Sequence, residues 1–475
     1  MTDLIDQLSK IVGAAHVLTK ADAEGYLTDW TGHWTDTALA VVRPGSTAEV
    51  AAVVKLAGAQ GVPVTVQGGN TSVAGGSVLG QEEGGLLISL RRMNRIRSID
   101  ARARTVTVDA SAIIQRVQDA VAPEGIDYQL MFGARGSATI GGALATNAGG
   151  SNVLRYGNAR DLCLGVEVVL PNGEVVHGLT GLRKDNTGYD LKNLLIGSEG
   201  TLGIITGAVL KLVPTPKSRS TAFVAVPDVN AALDVLNALQ DASGGLVEAF
   251  EWLPAETIRA ILRHHSALRA PLDDLPEHGI LVELASTRSS DAETDETGTV
   301  RLDALMLEAV EVLMEAELVT DGFFATSEQQ RIDLWSLREA VLETIQAEGH
   351  FLSLDVSLPL ARVAEFVGRV APLADTAHLR PLLVAHLGDG NVDYAVVAAE
   401  GHDWDALDSK GFGRRVGDIL TELGGSFSTE HGIGRTKVAT LAARKDSAQL
   451  GLMQGIRQVF DPLGLLNPGV MLEAG

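Results

Sequence analysis

The chain has 475 residues, enough for two or three domains with sizeable cores, and 45% of them are apolar, which excludes a disordered chain. A formal charge of -22 excludes a nucleic-acid backbone as partner, because such binding runs on Lys and Arg. A single cysteine, Cys163, excludes intrachain disulfides, multi-cysteine metal sites and iron–sulfur clusters.

No apolar run is long enough to span a bilayer, so no membrane span is expected. The first residues, Met-Thr-Asp-Leu-Ile-Asp, carry acids where an export signal carries Lys or Arg, and a cytoplasmic location is expected. Cys163 lies in the apolar run 162–170 and reads as a buried, inert thiol.

In chain order, residues 40–43 read as a strand, and Ser46 or Thr47 caps a helix over 48–60. Residues 61–67 form a strand that runs directly into Gly68-Gly-Asn-Thr-Ser-Val-Ala-Gly-Gly76. Four glycines in nine residues let backbone N–H groups point into one concavity, while Asn70, Thr71 and Ser72 add side-chain donors. Alone, the stretch reads either as a phosphate loop or as an ordinary glycine-rich turn, and its neighbours must decide. A dinucleotide fold of the Rossmann type is disfavoured, since no Gly-x-Gly-x-x-Gly opens a helix here.

Strands are expected at 86–90 and 105–109, with the basic turn 91–97 between them and a helix at 111–122 after them. A second glycine-rich region follows: Gly133-Ala-Arg-Gly-Ser-Ala-Thr-Ile-Gly-Gly142, then Thr146-Asn-Ala-Gly-Gly-Ser151 and Arg155-Tyr-Gly157. Residues 166–170 and 174–177 form a hairpin over Pro171-Asn-Gly173. Lys184-Asp-Asn-Thr-Gly-Tyr-Asp190 and Gly197-Ser-Glu-Gly-Thr-Leu-Gly203 precede a strand at 208–213.

These motifs, in this order, resemble the FAD domain of the vanillyl-alcohol-oxidase/p-cresol-methylhydroxylase type, and within it the D-2-hydroxyacid dehydrogenases that act on D-lactate or D-2-hydroxyglutarate. The resemblance covers nearly the whole chain. It implies an α+β protein with a two-part FAD-binding domain at 1–216, a ferredoxin-like α/β substrate or cap domain at 217–404 whose sheet covers the flavin, and a C-terminal helical segment at 405–475 packing back on the FAD domain. Cofactor contacts are then expected from Gly68, Gly69, Asn70, Thr71, Ser72, Gly76, Gly136, Ser137, Thr139, Gly142, Asn147, Gly200, Ile205 and Asn467. Some relatives bind flavin covalently through a His just after the first paired glycines; Asn70 stands there, so the FAD is expected to be non-covalent.

Pro214-Thr-Pro216 reads as the linker. Beyond it come strands at 221–226, 245–252, 279–286, 351–356 and 382–387, helices at 228–239, 301–315 and 327–348, and a solvated acidic loop at 289–299. The end of the chain reads as a helix at 406–423, further helical residues to 460, and Asp461-Pro-Leu-Gly-Leu-Leu-Asn-Pro-Gly469.

Two motifs carry chemistry: His386-Leu-Gly-Asp-Gly-Asn391 with Asp393, and Thr429-Glu-His-Gly-Ile-Gly434. Asp389-Gly390 favours a two-residue type I′ turn, which sets His386 opposite Asp393 with Cβ atoms roughly 5 Å apart. The resemblance adds Glu430 as a third metal ligand. It places a second His where this chain has Asp393, so the set His386, Asp393, Glu430 shifts from Zn²⁺ toward Mn²⁺, Fe²⁺ or a weakly held ion; loss of the metal, with Asp393 only orienting His386, is the competing reading. His431 matches the base that takes the hydroxyl proton, a task that suits imidazole. Arg338, in Leu334-Trp-Ser-Leu-Arg-Glu339, matches the clamp for the substrate carboxylate.

Hydroxyglutarate dehydrogenases carry a Thr four residues after this Arg, a Lys further on and a hairpin Asn on the substrate. Here those places hold Leu342, Ser353 and Ala395, which favours a D-2-hydroxy monocarboxylate contacted by Arg338, Ser353 and Asp393. The expected acceptor is an electron-transfer flavoprotein or a quinone, since no nicotinamide motif is visible; a homodimer is among the oligomeric states left open. The competing readings are a D-2-hydroxyglutarate dehydrogenase, a metal-free FAD alcohol or phenol oxidase, and a non-catalytic flavin subunit of a larger oxidase.

Overall fold

The computed structural model describes residues 2–35, 37–80 and 84–473, and they divide into two compact units. The first is drawn from 1–149, 157–214 and 430–475, the second from 150–156 and 215–429. Each is described by itself.

The first unit holds two main sheets and a two-stranded pairing of Ile126–Asp127 with Val213–Pro214. A four-stranded one runs in the order Val17–Leu18, Ala40–Val42, Leu86–Ser89, Val64–Gln67, with the last three strands parallel. Its strands Ala40–Val42 and Leu86–Ser89 are buried along their whole length, as inner parallel strands must be. The helix Thr47–Ala59 buries one face through Val50, Val53, Val54 and Ala57. Ser46 starts that helix: its hydroxyl accepts from Glu49 N–H at 3.2 Å, while the Glu49 carboxylate reaches back to Gly45 N–H at 2.7 Å. The second sheet is antiparallel, in the order Ile96–Asp100, Thr105–Asp109, Ile204–Lys211, Cys163–Val169, Val175–Gly178. This split into two sheets is the two-part domain expected from the sequence. Cys163 is buried, and burial pushes its thiol pKa up to about 11, so it is the inert thiol anticipated.

The second unit is built on one seven-stranded sheet in which every pairing is antiparallel: Asp321–Phe324, Ser218–Val226, His278–Ser286, Val247–Pro254, Leu379–His386, Asn391–Ala398, Phe351–Ser357. A ferredoxin-like βαββαβ unit has about four strands, so this sheet is larger than the expected one. Alternate residues of the strands feed two separate cores. One holds the helices Val229–Ser243, Arg301–Glu315, Val363–Thr376 and Ser409–Glu422; the other holds Ala255–His264, Glu328–Glu339 and Val341–Ala347. The last two were anticipated as a single helix over 327–348.

The domain boundary differs from expectation as well. The chain leaves the second unit at residue 430, not 405. The helix Ser409–Glu422 buries Phe412, Val416, Ile419 and Leu420 in the second unit's core, and each large side chain so buried contributes about 2 kcal/mol. Only the part from 430 onward returns. There Leu465 and Asn467 bond the strand Val64–Gln67 through Val64 N–H to Leu465 C=O and Asn467 N–H to Val64 C=O, both 2.8 Å. No helix among the described residues is long and apolar enough to cross a membrane.

One buried charge network ties the antiparallel sheet of the first unit together. Asp109, with no exposed surface, accepts from Arg97 Nε at 2.7 Å and from Arg95 Nε at 2.9 Å; Glu167 accepts from Arg97 Nη2 at 2.9 Å and from the Thr47 hydroxyl at 2.7 Å. Burial pushes both carboxyls up, but their hydrogen bonds, from Arg95 and Arg97 to Asp109 and from Arg97 and Thr47 to Glu167, hold them below the usual range. A carboxyl whose folded pKa is depressed stabilises fully above its unfolded pKa, about 3.9 for Asp, and that stability is lost as pH falls through the folded value. Asp109→Asn should therefore cost about 3 kcal/mol at neutral pH in denaturant unfolding, with the gap to wild type closing as the medium is acidified below pH 4; a gap that is independent of pH contradicts this account.

Candidate active site

In the first unit the two glycine-rich segments meet. A Cβ on Gly68 would stand 2.5 Å from Thr139 Oγ1, and one on Gly69 would stand 2.4 Å from the Ser137 carbonyl oxygen. Only glycine permits that approach. Thr139 caps the short helix Ile140–Thr146, its hydroxyl accepting from Gly142 N–H at 3.4 Å. Asn70 takes a left-handed φ of 57° and spans the loop: its Nδ2 donates to Thr28 C=O at 2.9 Å and its Oδ1 accepts from the Ser77 hydroxyl at 2.7 Å. The half-buried N–H groups of Gly69, Asn70, Thr71 and Ser72 have no protein acceptor among the described residues. Such N–H groups in a glycine loop fit a diphosphate. The side chain of Asn70 itself serves the loop's shape.

The Gly197–Gly203 motif holds the returning segment. Glu199, buried and at a φ of 50°, receives the N–H groups of Ile433 at 2.8 Å and Gly434 at 2.7 Å on its carboxylate. Burial raises its pKa, against these two bonds and Lys437. Gly434 must be glycine, since at a φ of 53° a Cβ would stand 2.0 Å from Ala74 C=O. Glu199 thus fixes the turn that carries Glu430 and His431. Asn467 Nδ2 donates to Glu199 C=O at 2.7 Å, and its Oδ1 accepts from Val66 N–H at 3.0 Å. Its buried amide joins strand to turn, and Gly200 lies against it, a Cβ there being 2.8 Å from Nδ2. Asn147, at a φ of 53°, ends its helix and accepts from Arg160 N–H at 3.0 Å; Ile205 is a buried strand residue.

The second unit gathers its chemistry around Glu251, a carboxylate with no exposed surface in the middle of the sheet. Its Oε1 lies 2.6 Å from His386 Nδ1, and its Oε2 accepts from Arg338 Nε at 2.8 Å. Arg338 Nη2 lies 3.1 Å from His386 Nε2. Because guanidinium has no acceptor, Nε2 must accept from Nη2, which leaves the imidazole proton on Nδ1, donated to Glu251. Burial would push the Glu251 carboxyl up, but His386 and Arg338 hold it below the usual range.

The hairpin departs from expectation. His386 faces Asn391, and Asp393 faces Val384, so the loop has four residues, 387–390. A type I′ turn needs positive φ at both central residues, whereas here Gly390 has a φ of 82° and Asp389 is not left-handed. Leu387 instead donates its N–H to Phe250 C=O at 3.0 Å, drawn toward the neighbouring strand. His386 and Asp393 therefore share a face as diagonal neighbours, about 7–8 Å apart, rather than as a facing pair. On the next strand Asp355 faces Asp393 and the exposed Ser353 faces the buried Ala395. Glu430 and His431 belong to the first unit, and His386, Asp393, Arg338 and Ser353 to the second. Among the described residues no group of three His, Cys, Asp or Glu is disposed to hold a metal ion.

Glu251 and Glu199 hold candidate site residues in place, and the sequence reading missed both. The signal for Glu251 was an acid inside the apolar strand Val247–Pro254, where a charge is too costly to bury without partners. For Glu199 it was an acid between two glycines, in a turn that demands left-handed backbone.

Comparison with known proteins places the chain. Residues 38–178 match the FAD binding domain family, and residues 215–471 match the C-terminal domain of FAD linked oxidases. The D-2-hydroxyglutarate dehydrogenase of Xanthomonas citri pv. viticola is 35% identical, covering 100% of this chain and 98% of that protein. A putative mitochondrial D-lactate dehydrogenase of Schizosaccharomyces pombe is 33% identical, covering 98% and 86%. Among solved structures, p-cresol methylhydroxylase with substrate bound has a TM-score of 0.74 at 14% identity, covering 99% of this chain and 97% of that one, a likeness of fold. The fold and the two matched domains define an FAD-linked oxidoreductase. Within that class, the chain belongs to the FAD-dependent D-2-hydroxyacid dehydrogenases, which act on a CH–OH group.

The contact between glycine segments gives a direct test. Gly69→Ala pushes the loop off Ser137, so the variant should purify folded by circular dichroism but with its flavin-to-protein absorbance ratio reduced by at least about tenfold. A yellow variant with full flavin content would show that the loop does not grip the cofactor.

Proposed function

We propose that this protein oxidises a D-2-hydroxy monocarboxylate to the 2-oxo acid on a non-covalently held FAD, with Arg338 as carboxylate clamp and His431 as base. The observation that carries the reading is the state of Arg338. Its side chain, 19% exposed, is fixed against the sheet by Glu251 and His386 instead of extending from its helix into solvent. A guanidinium oriented in this way suits a planar carboxylate.

When bound, FAD supplies the acceptor for the hydride that leaves C2. His431 takes the hydroxyl proton, so the alcohol loses one hydride and one proton and becomes the 2-oxo acid. Arg338 holds the carboxylate and with it the position of C2. Ser353 and Asp393 stand on the sheet face that carries His386. Leu342, exposed, and Ala395, buried opposite Ser353, offer no charge to a second carboxylate, which supports a monocarboxylate. D-2-hydroxyglutarate is the second reading, favoured by the 35% identity to the Xanthomonas enzyme of that name.

A divalent ion, Zn²⁺, Mn²⁺ or Fe²⁺, on His386, Asp393 and Glu430 belongs to this reading on the sequence pattern. His386 Nδ1 donates to Glu251, as the far nitrogen of a ligating imidazole ordinarily does, but Nε2, the nitrogen left for an ion, accepts from Arg338 Nη2 at 3.1 Å, so an ion there would have to displace that bond. No step above is routed through the ion. Electrons pass on to an electron-transfer flavoprotein or a quinone.

In a dye-reduction assay across D-2-hydroxy acids, His431→Ala should keep its flavin and lose at least about 100-fold in kcat. Flavin retained together with turnover would remove His431 from the reaction. Dialysis against a chelator should abolish activity, and Zn²⁺ or Mn²⁺ should restore it. Unchanged activity in a sample free of metal by elemental analysis would eliminate the ion.

A further inference from the structure

We propose that Glu283 is a positioning residue for substrate recognition: it fixes where Arg338 stands over the sheet of the second unit, without touching Arg338 itself. The inference rests on the reading of Arg338 as the carboxylate clamp.

Glu283 is 3% exposed, and its carboxylate collects four donors. Arg219 Nη1 reaches Oε1 at 2.8 Å; the Thr221 hydroxyl, Trp335 Nε1 and Arg331 Nη1 reach Oε2 at 2.7, 2.9 and 3.2 Å. Three of the four donors converge on Oε2 and the fourth takes Oε1, so both oxygens of the carboxylate are engaged. Two of them come from one helix, Glu328–Glu339, which also carries Arg338. Positions 331, 335 and 338 are spaced i, i+4, i+7 and form one stripe facing the sheet. The sheet answers with two carboxylates on the same face of adjacent strands: Glu251 faces Leu281, and Glu283 lies two residues further along that strand. The helix is thus held at two points, Glu283 through Arg331 and Trp335, and Glu251 through Arg338.

The surroundings show what the anchor adds. Leu334 and Leu337 of the same helix pack with Phe223, Leu253 and Leu281 in the apolar core of this face. Apolar burial is non-directional and would hold the helix at several rotations and heights. A buried ion pair, by contrast, seldom stabilises more than well-packed apolar residues of the same volume. What hydrogen bonds from an indole N–H and a guanidinium do supply is direction, and so one register. A second acid, Glu248, also pairs with Arg219 and keeps that cation in place beneath the helix.

The test compares turnover of the best D-2-hydroxy acid with turnover of its primary amide, which lacks the charge that Arg338 reads. In the wild-type flavoenzyme the acid should be strongly preferred. Glu283→Gln should raise KM for the acid about tenfold with kcat changed less than about twofold, leave KM for the amide unchanged, and so collapse the preference. Trp335→Phe, which removes the N–H donor and keeps an aromatic ring in its place, should shift the same ratio in the same direction by about threefold. Loss of stability alone lowers Tm and active fraction but does not change the acid-to-amide ratio. If Arg338→Lys collapses the ratio while Glu283→Gln and Trp335→Phe leave it intact, the positioning role is overturned; should Glu283→Gln not fold, Trp335→Phe decides by the same criterion. If Arg338→Lys itself leaves the ratio intact, the clamp reading fails instead.

Discussion

The second unit depends on burying a charge where apolar residues surround it. Glu251 has no exposed surface and survives as a carboxylate because His386 and Arg338 both donate to it. An isolated buried carboxylate costs far more than a domain can spare, so removal of either partner would leave it uncompensated. The same bonds set the chemistry. They fix the tautomer of His386 and turn Arg338 from a flexible surface side chain into an oriented cation. A structural requirement and a recognition requirement are therefore met by one set of atoms.

The first unit solves a different problem, bringing backbone close to backbone. Gly68 and Gly69 let the first loop lie on Ser137 and Thr139, and Gly434 lets the returning segment lie on Ala74. Each contact leaves no room for a Cβ. Buried and half-buried polar side chains then hold what the glycines permit. Asn70 braces its own loop, Glu199 ties down Ile433 and Gly434, and Asn467 joins the strand Val64–Gln67 to the turn at Glu199. That three of these residues have left-handed φ values shows how much irregular backbone the unit carries at one place.

Much of this was legible in the sequence, for definite reasons. The glycine segments announced themselves because close approach leaves a compositional trace, and Ser46 and Asp228 marked helix starts that the structure keeps. The hairpin at Asp389-Gly390 was legible in kind but not in register, because the turn competes with the bond from Leu387 to Phe250 on a strand more than a hundred residues away. The boundary near 405 failed for a similar reason. The apolar stripe of Ser409–Glu422 fits any core, and nothing local says which one. Glu251 and Glu283 were hidden because their partners lie far along the chain, at His386 and Arg338 for one and at Arg331 and Trp335 for the other.

The central claim is that a D-2-hydroxy acid delivers its C2 hydride to the bound flavin. Anaerobic mixing of the purified flavoenzyme with single compounds, followed by flavin absorbance, tests it most directly. The account predicts that the oxidised flavin band bleaches with a D-2-hydroxy monocarboxylate and persists with its L enantiomer. A band that persists with every D-2-hydroxy acid while a simple alcohol or phenol bleaches it would contradict the account.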